Sequence, residues 1–77
     1  MTTTSTPGER IRAARDIRGM STAQLAERIG CSRRSVEGWE AESARPKWEQ
    51  VEGLCRVLEV SADYIYGLPM GKRRGRA

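Results

Sequence analysis

Apolar residues recur along this chain in short bursts at helical spacing. Leu25, Ala26 and Ile29 form an apolar face on one segment, and Val36 and Trp39 form one on the next, each at the three- and four-residue steps that put side chains on one side of an α-helix. Gly30, Cys31 and Ser32 separate them. Gly30 can take the positive φ that lets a chain leave one helix and turn into another without a Cβ penalty. The second segment is therefore expected to cross the first at a steep angle.

Similar signals flank this pair. Pro7 suits a first helical turn, Glu9 lies near the positive end of that helix dipole, and Ile11, Ala14 and Ile17 or Arg18 mark its buried and boundary faces up to Gly19. Ser21 and Gln24 form an S-x-x-Q capping box for the second helix, whose natural end is Gly30. Ser32 caps a third helix running to about Ala41. An irregular connection follows through Ser43, Ala44 and Arg45 to Pro46, because a residue before proline avoids the helical region. Trp48, Val51, Leu54, Cys55 and Leu58 then share one stripe of the longest helix, and Ser61 caps a last short helix that ends at Gly67 before Pro69. The pattern predicts an all-α, five-helix domain over residues 7–68, with helices at about 7–18, 22–29, 33–41, 47–59 and 62–66. Residues 1–6 are expected to be a disordered arm and residues 69–77 a disordered basic tail. Residues 22 to 41 have the geometry of a helix-turn-helix, with Ser32, Arg33, Arg34, Glu37 and Gly38 facing outward.

Composition narrows the function. At 77 residues there is room for one domain with a small core. The aromatic side chains are Trp39, Trp48, Tyr64 and Tyr66, so aliphatic residues do most of the packing, and Trp39, Trp48, Val51 and Leu54 are assigned to the core. No segment resembles a signal peptide or a membrane span, which leads to the expectation of a cytoplasmic protein. Cys31 and Cys55 have no CxxC pairing and no histidine to complete a zinc set, and read as small buried hydrophobes. No metal or other cofactor is expected. With no histidine, no carboxylate pair in an evident pocket and no glycine-rich phosphate loop after a strand, the chain does not read as an enzyme.

The net charge of +4 belongs to the tail. Lys72, Arg73, Arg74 and Arg76 supply it, because the other ten basic residues are balanced by ten acidic ones. Charge nevertheless segregates along the chain. Arg28, Arg33, Arg34, Arg45 and Lys47 surround the helix-turn-helix, while Glu49, Glu52, Glu59 and Asp63 fall in the last third. Such a dipolar field would orient the molecule on a polyanion with the turn-helix side facing in.

Residues 8 to 67 resemble the Cro and C1 type helix-turn-helix domain of phage repressors and bacterial regulators. The resemblance is carried by R-x-x-x-G before a capped S-x-x-x-L-A segment, then I-G-x-S, V-x-x-W-E, and a proline six residues after that glutamate. It implies a lambda-repressor-like five-helix fold, DNA binding as a dimer and transcriptional control. It also implies a structural salt bridge between Arg15 and Glu40. The chain departs from the family where glycine often follows the third helix, here Glu42, and where Gly38 replaces a side chain that often contacts bases. Trp39 replaces a smaller aliphatic residue.

Docked N-terminus first in a major groove, the third helix would present Arg33 and Arg34 to base edges, since arginine's planar fork matches the O6 and N7 acceptors of guanine. Glu37 would brace one of these guanidiniums or accept from a cytosine, the bracing role being preferred. Gly38 would allow close approach to a thymine methyl or the sugar-phosphate wall. Ser21, Thr22, Gln24 and Ser32 offer donors to phosphate on one side, and Ser43, Arg45 and Lys47 form a clamp on the other. Each of these charges also has an ordinary reading as a solvated surface group. Tyr64, Tyr66, Leu68 and Met70 are candidates for a homodimer surface, or simply close the core. The leading expectation is a repressor that binds a two-fold double-stranded operator as a homodimer. The alternatives are a DNA-binding antitoxin of a toxin-antitoxin pair and a helix-turn-helix fold used only for protein interaction.

Overall fold

Five α-helices make up the computed structural model, which describes residues 6–67: α1 (Pro7–Ile17), α2 (Thr22–Ile29), α3 (Arg33–Glu40), α4 (Trp48–Leu58) and α5 (Ala62–Tyr66). Four of them start on a hydroxyl that satisfies a backbone donor of the first turn. Thr6 Oγ1 accepts the Glu9 N–H at 3.1 Å while Glu9 Oε1 accepts the Thr6 N–H at 3.1 Å, so Thr6 is an ordered cap and not the end of an arm. Ser21 and Gln24 make the same reciprocal pair. Ser32 accepts from the Ser35 N–H and Ser61 from the Tyr64 N–H. Lys47 has no oxygen to offer α4, and there Gln50 Oε1 reaches back to the Lys47 N–H at 2.7 Å.

Two helices end in the same six-residue turn built from different residues. At the end of α1 the Gly19 N–H bonds Asp16 O and the Met20 N–H bonds Arg15 O, with Gly19 at φ 68. At the end of α3 the Glu42 N–H bonds Trp39 O and the Ser43 N–H bonds Gly38 O, with Glu42 at φ 64. Both are Schellman caps, whose left-handed residue is usually glycine because a Cβ costs roughly 1–2 kcal/mol there. Glu42 and Glu59 (φ 58) are the non-glycine residues that accept this geometry among the described residues.

The core gathers one face from every helix: Ile11 and Ala14, Leu25 and Ala26, Val36 and Trp39, Val51, Leu54 and Leu58, and Ile65. No polar or charged residue is fully buried among the described residues. Three expectations are corrected here. Trp48 is 63% exposed although it continues the stripe of Val51, Leu54 and Leu58, and Ile17 is 77% exposed at the last turn of α1. Periodicity gives the direction of a side chain and not whether another helix reaches that far; both residues sit on the terminal turn of their helix. Cys31 and Cys55 are half-buried free thiols packed against the core, not fully buried ones. Burial pushes both thiols up from their ordinary range, assisted at Cys55 by the charge of Glu52.

Candidate nucleic-acid interface

α2 and α3 pack against each other around the turn of Gly30, Cys31 and Ser32, and Gly30 takes φ 92. Its N–H and that of Cys31 both bond Ala26 O, at 2.8 and 3.0 Å, so the turn closes on the last carbonyls of α2. The sharp bend is therefore local. Its placement against the rest of the domain is set by α1: Arg15 Nε and Nη2 donate to Glu40 Oε2 and Oε1 at 2.7 and 3.0 Å, and Arg15 Nη1 donates to Met20 O at 2.7 Å. Both side chains of the pair are about nine-tenths buried. The bond to Glu40 pushes the Arg15 guanidinium further up against the opposing effect of burial, with help from the charges of Glu40 and Asp16. This bidentate pair locks the end of α3 onto α1, and neither charge remains for a ligand.

With Val36 and Trp39 buried on its inner side, α3 turns Ser32, Arg33, Arg34 and Glu37 to solvent. Arg33 Nε lies 3.3 Å from Glu37 Oε2, an i to i+4 pair with both side chains at least half exposed. Exposure keeps the energy of such a pair below about 1 kcal/mol, but the geometry fixes which arginine Glu37 braces. Arg34 is exposed and has no ion-pair partner among the described residues. Gly38 is half-buried. A Cβ there would stand 3.3 Å from Ala44 Cβ and 3.5 Å from Ser43 Oγ, so the missing side chain makes room for the connection that folds back over α3. The Gly38 carbonyl accepts the Ser43 and Ala44 N–H groups and the Ser43 hydroxyl.

The residues expected to flank α3 are exposed apart from half-buried Thr22. Capping engages the acceptor oxygens of Ser21 and Gln24, leaving the Ser21 hydroxyl proton and the Gln24 amide protons to donate outward. Ser32 Oγ lies 3.0 Å from Ser35 Oγ. Ser43 directs its hydroxyl back to Gly38 O at 3.3 Å, so it would have to rotate to reach a phosphate. Arg45 and Lys47 are exposed on either side of Pro46, and Trp48 adds an exposed indole directly after them. Tyr64 and Tyr66 are 39% and 41% exposed on α5, while Leu68 and Met70 and the basic tail lie outside the described residues.

Three positions that organise this surface have contacts that the sequence analysis did not assign. Gly8 is buried where α1 meets the end of α3: a Cβ there would lie 2.4 Å from Trp39 O and 2.6 Å from Glu40 O. Gly53 admits Ile29 to α4, with a Cβ at 3.0 Å from Ile29 Cγ2. The Glu42 carboxylate accepts the Gly8 N–H. Glycine inside a helix costs roughly 1 kcal/mol against alanine, and that cost was the available clue that Gly8 and Gly53 have tertiary reasons. Among the described residues no group of histidine, cysteine and carboxylate side chains could hold a metal, and no helix is long and apolar enough to cross a membrane.

Comparison with known proteins agrees with this architecture. A family model described as a helix-turn-helix domain matches residues 8–65. The chain is 42% identical over 60 residues to the HTH-type transcriptional regulator YobD of Bacillus subtilis, covering 78% of this chain and 54% of YobD. It is 34% identical over 58 residues to repressor protein C2 of Salmonella phage P22, covering 75% of this chain and 27% of C2. The chain thus spans about half of one curated relative and about a quarter of the other. The crystal structure of the P22 c2 repressor with a synthetic operator superposes with a TM-score of 0.79 at 33% identity, covering 82% of this chain and 96% of that one. A glycine-hinged helix pair, an Arg15–Glu40 lock and a family match across nearly all the described residues lead to one conclusion: the chain belongs to the helix-turn-helix domain family, in its Cro and C1 type.

Proposed function

We propose that this protein is a sequence-specific double-stranded DNA-binding repressor that occupies a two-fold operator as a homodimer, with α3 in the major groove. One observation carries the reading: α3 buries Val36 and Trp39 and leaves Arg33, Arg34 and Glu37 together on an exposed side, with cations exposed in the connection that follows. Arg33, held by Glu37, is pre-oriented for a base edge, and Arg34 is the second reader. Gly38, whose missing side chain makes room for Ser43 and Ala44, contributes by seating the connection against α3 and is not counted among the base readers. Ser21, Thr22, Gln24, Ser32, Ser43, Arg45 and Lys47 position the protein on phosphates and carry no sequence information. The match to a repressor whose domain was crystallised with an operator supports this docking. Tyr64 and Tyr66 supply the partly exposed apolar surface for pairing two copies, which would set two α3 helices about 34 Å apart. No cofactor or enzymatic step is part of this reading, which places the protein in the cytoplasm.

A selected-site experiment with random duplexes, coupled to a mass measurement of the complex, tests it. The expected result is a two-fold consensus with guanine in each half-site and two protein chains per duplex. No consensus overturns sequence-specific repression, and a consensus without guanine overturns the arginine assignment.

A further inference from the structure

Glu42 occupies the left-handed position of the cap that ends α3, where glycine would serve the turn without strain. The α1 cap shows the same two hydrogen bonds made around Gly19. The turn therefore does not require the Glu42 side chain. A carboxylate beside Arg45 and Lys47 would also repel a phosphate backbone. The Glu42 carboxylate instead reaches across the surface to α1, accepting the N–H of Gly8 in its first turn, where backbone donors lack partners within the helix and the dipole favours negative charge. The two segments meet closely: Glu42, Ala44, Arg45 and Pro46 line one groove with Pro7 and Gly8.

We infer that Glu42 is a positioning residue for the phosphate clamp: its bond to Gly8 ties the 42–47 connection to α1 and presets Arg45 and Lys47 for DNA. The inference rests on the DNA-binding reading proposed above. Arg45 and Lys47 have no ion-pair partner among the described residues, so their placement depends on the backbone that carries them. That backbone is held at its start by the Ser43 and Ala44 bonds to Gly38 O, at Lys47 by Gln50 and the first turn of α4, and across the fold by Glu42 on Gly8, so the tether bears most on Arg45.

Two variants separate position from charge. Glu42→Gly keeps the turn, relieves its strain and removes the tether; Glu42→Gln removes the charge but keeps an oxygen that can accept the Gly8 N–H. Affinity is measured at fixed salt for a duplex recovered from the random pool, or for the pool itself, alongside thermal melting and amide exchange of the free proteins. E42Q is expected to bind as tightly as the parent or tighter. E42G is expected to bind about fivefold weaker, the scale of one long side chain losing its pre-organisation, with an unchanged or higher melting temperature and faster exchange at Ser43 and Ala44. E42G binding as tightly as the parent overturns the inference, as does an equal loss of affinity in both variants that follows a lower melting temperature. If the parent binds no duplex, the DNA reading fails, and the tether is decided by exchange alone: unchanged protection of Ser43 and Ala44 in E42G overturns it.

Discussion

Replacing Gly8 with alanine sets a local preference against a tertiary one. By helix propensity alone, the change within α1 should stabilise the protein by up to about 1 kcal/mol. The structure reverses the sign. The new Cβ would lie 2.4 Å from Trp39 O, 2.6 Å from Glu40 O and 2.6 Å from Glu42 Oε2. Two of these obstacles are backbone carbonyls of the last turn of α3 and cannot rotate away, so α1 and α3 must separate. That separation strains the Arg15–Glu40 pair and the packing of Ile11 and Trp39. Because the obstacles are fixed backbone, the cost falls at the upper end of the about 1–3 kcal/mol typical of overpacking, and less a propensity gain of up to about 1 kcal/mol the net destabilisation is expected to be about 2–3 kcal/mol. For a domain of this size that lowers the melting temperature by about 10–20 °C. Gly19→Ala is the internal control, because its Cβ meets nothing within 4 Å and only the positive φ is penalised. Thermal and urea unfolding followed by circular dichroism measure both. A Gly8→Ala variant as stable as the parent, or less damaged than Gly19→Ala, would refute the close approach of α1 to α3.

Breaking the Arg15–Glu40 pair by Glu40→Ala is expected to cost about 2–4 kcal/mol, since it leaves a mostly buried guanidinium without its bidentate partner; a double-mutant cycle with Arg15→Ala should return a coupling above about 1 kcal/mol. Trp39→Ala should destabilise by about 3–5 kcal/mol, whereas Trp48→Ala should stay within about 0.5 kcal/mol of the parent, and equal effects in urea unfolding would contradict their burial. On DNA, Arg33→Ala and Arg34→Ala should each lose about 1–3 kcal/mol and relax base preference. Lys47→Ala should instead weaken binding to all sequences and reduce the salt slope by about 1, so a Lys47 variant that changes the selected consensus would exclude a purely phosphate role.

Local signals in the sequence were sufficient for the helices themselves. Ser21, Ser32 and Ser61 cap where their spacing indicated, Gly30 takes the expected left-handed conformation, the last helix ends at Gly67, and Arg15 meets Glu40 as the resemblance implied. The candidate reading face was equally legible, because burying Val36 and Trp39 on a helix leaves Arg33, Arg34 and Glu37 no other side to occupy. The helices begin and end within a residue or so of the expected spans, the differences falling on half-helical end residues such as Lys47, Ala41 and Glu59.

The misses share a cause in how far neighbouring elements reach. Trp48 and Ile17 have the right helical phase for burial and lie exposed on terminal turns. Glu42 stood out in the sequence as a residue in a glycine position, yet its partner, Gly8, lies 34 residues away and offers only a backbone N–H, which every residue but proline also carries. The five helices, their caps and the face of α3 that meets solvent follow from local signals, since periods, hydroxyls and glycines act within a few residues. That Gly8 and Gly53 are close-approach points, that Trp48 is uncovered and that Glu42 joins the end of α3 to α1 follows from how the helices pack. Those outcomes depend on distances between helices, and no local pattern encodes them.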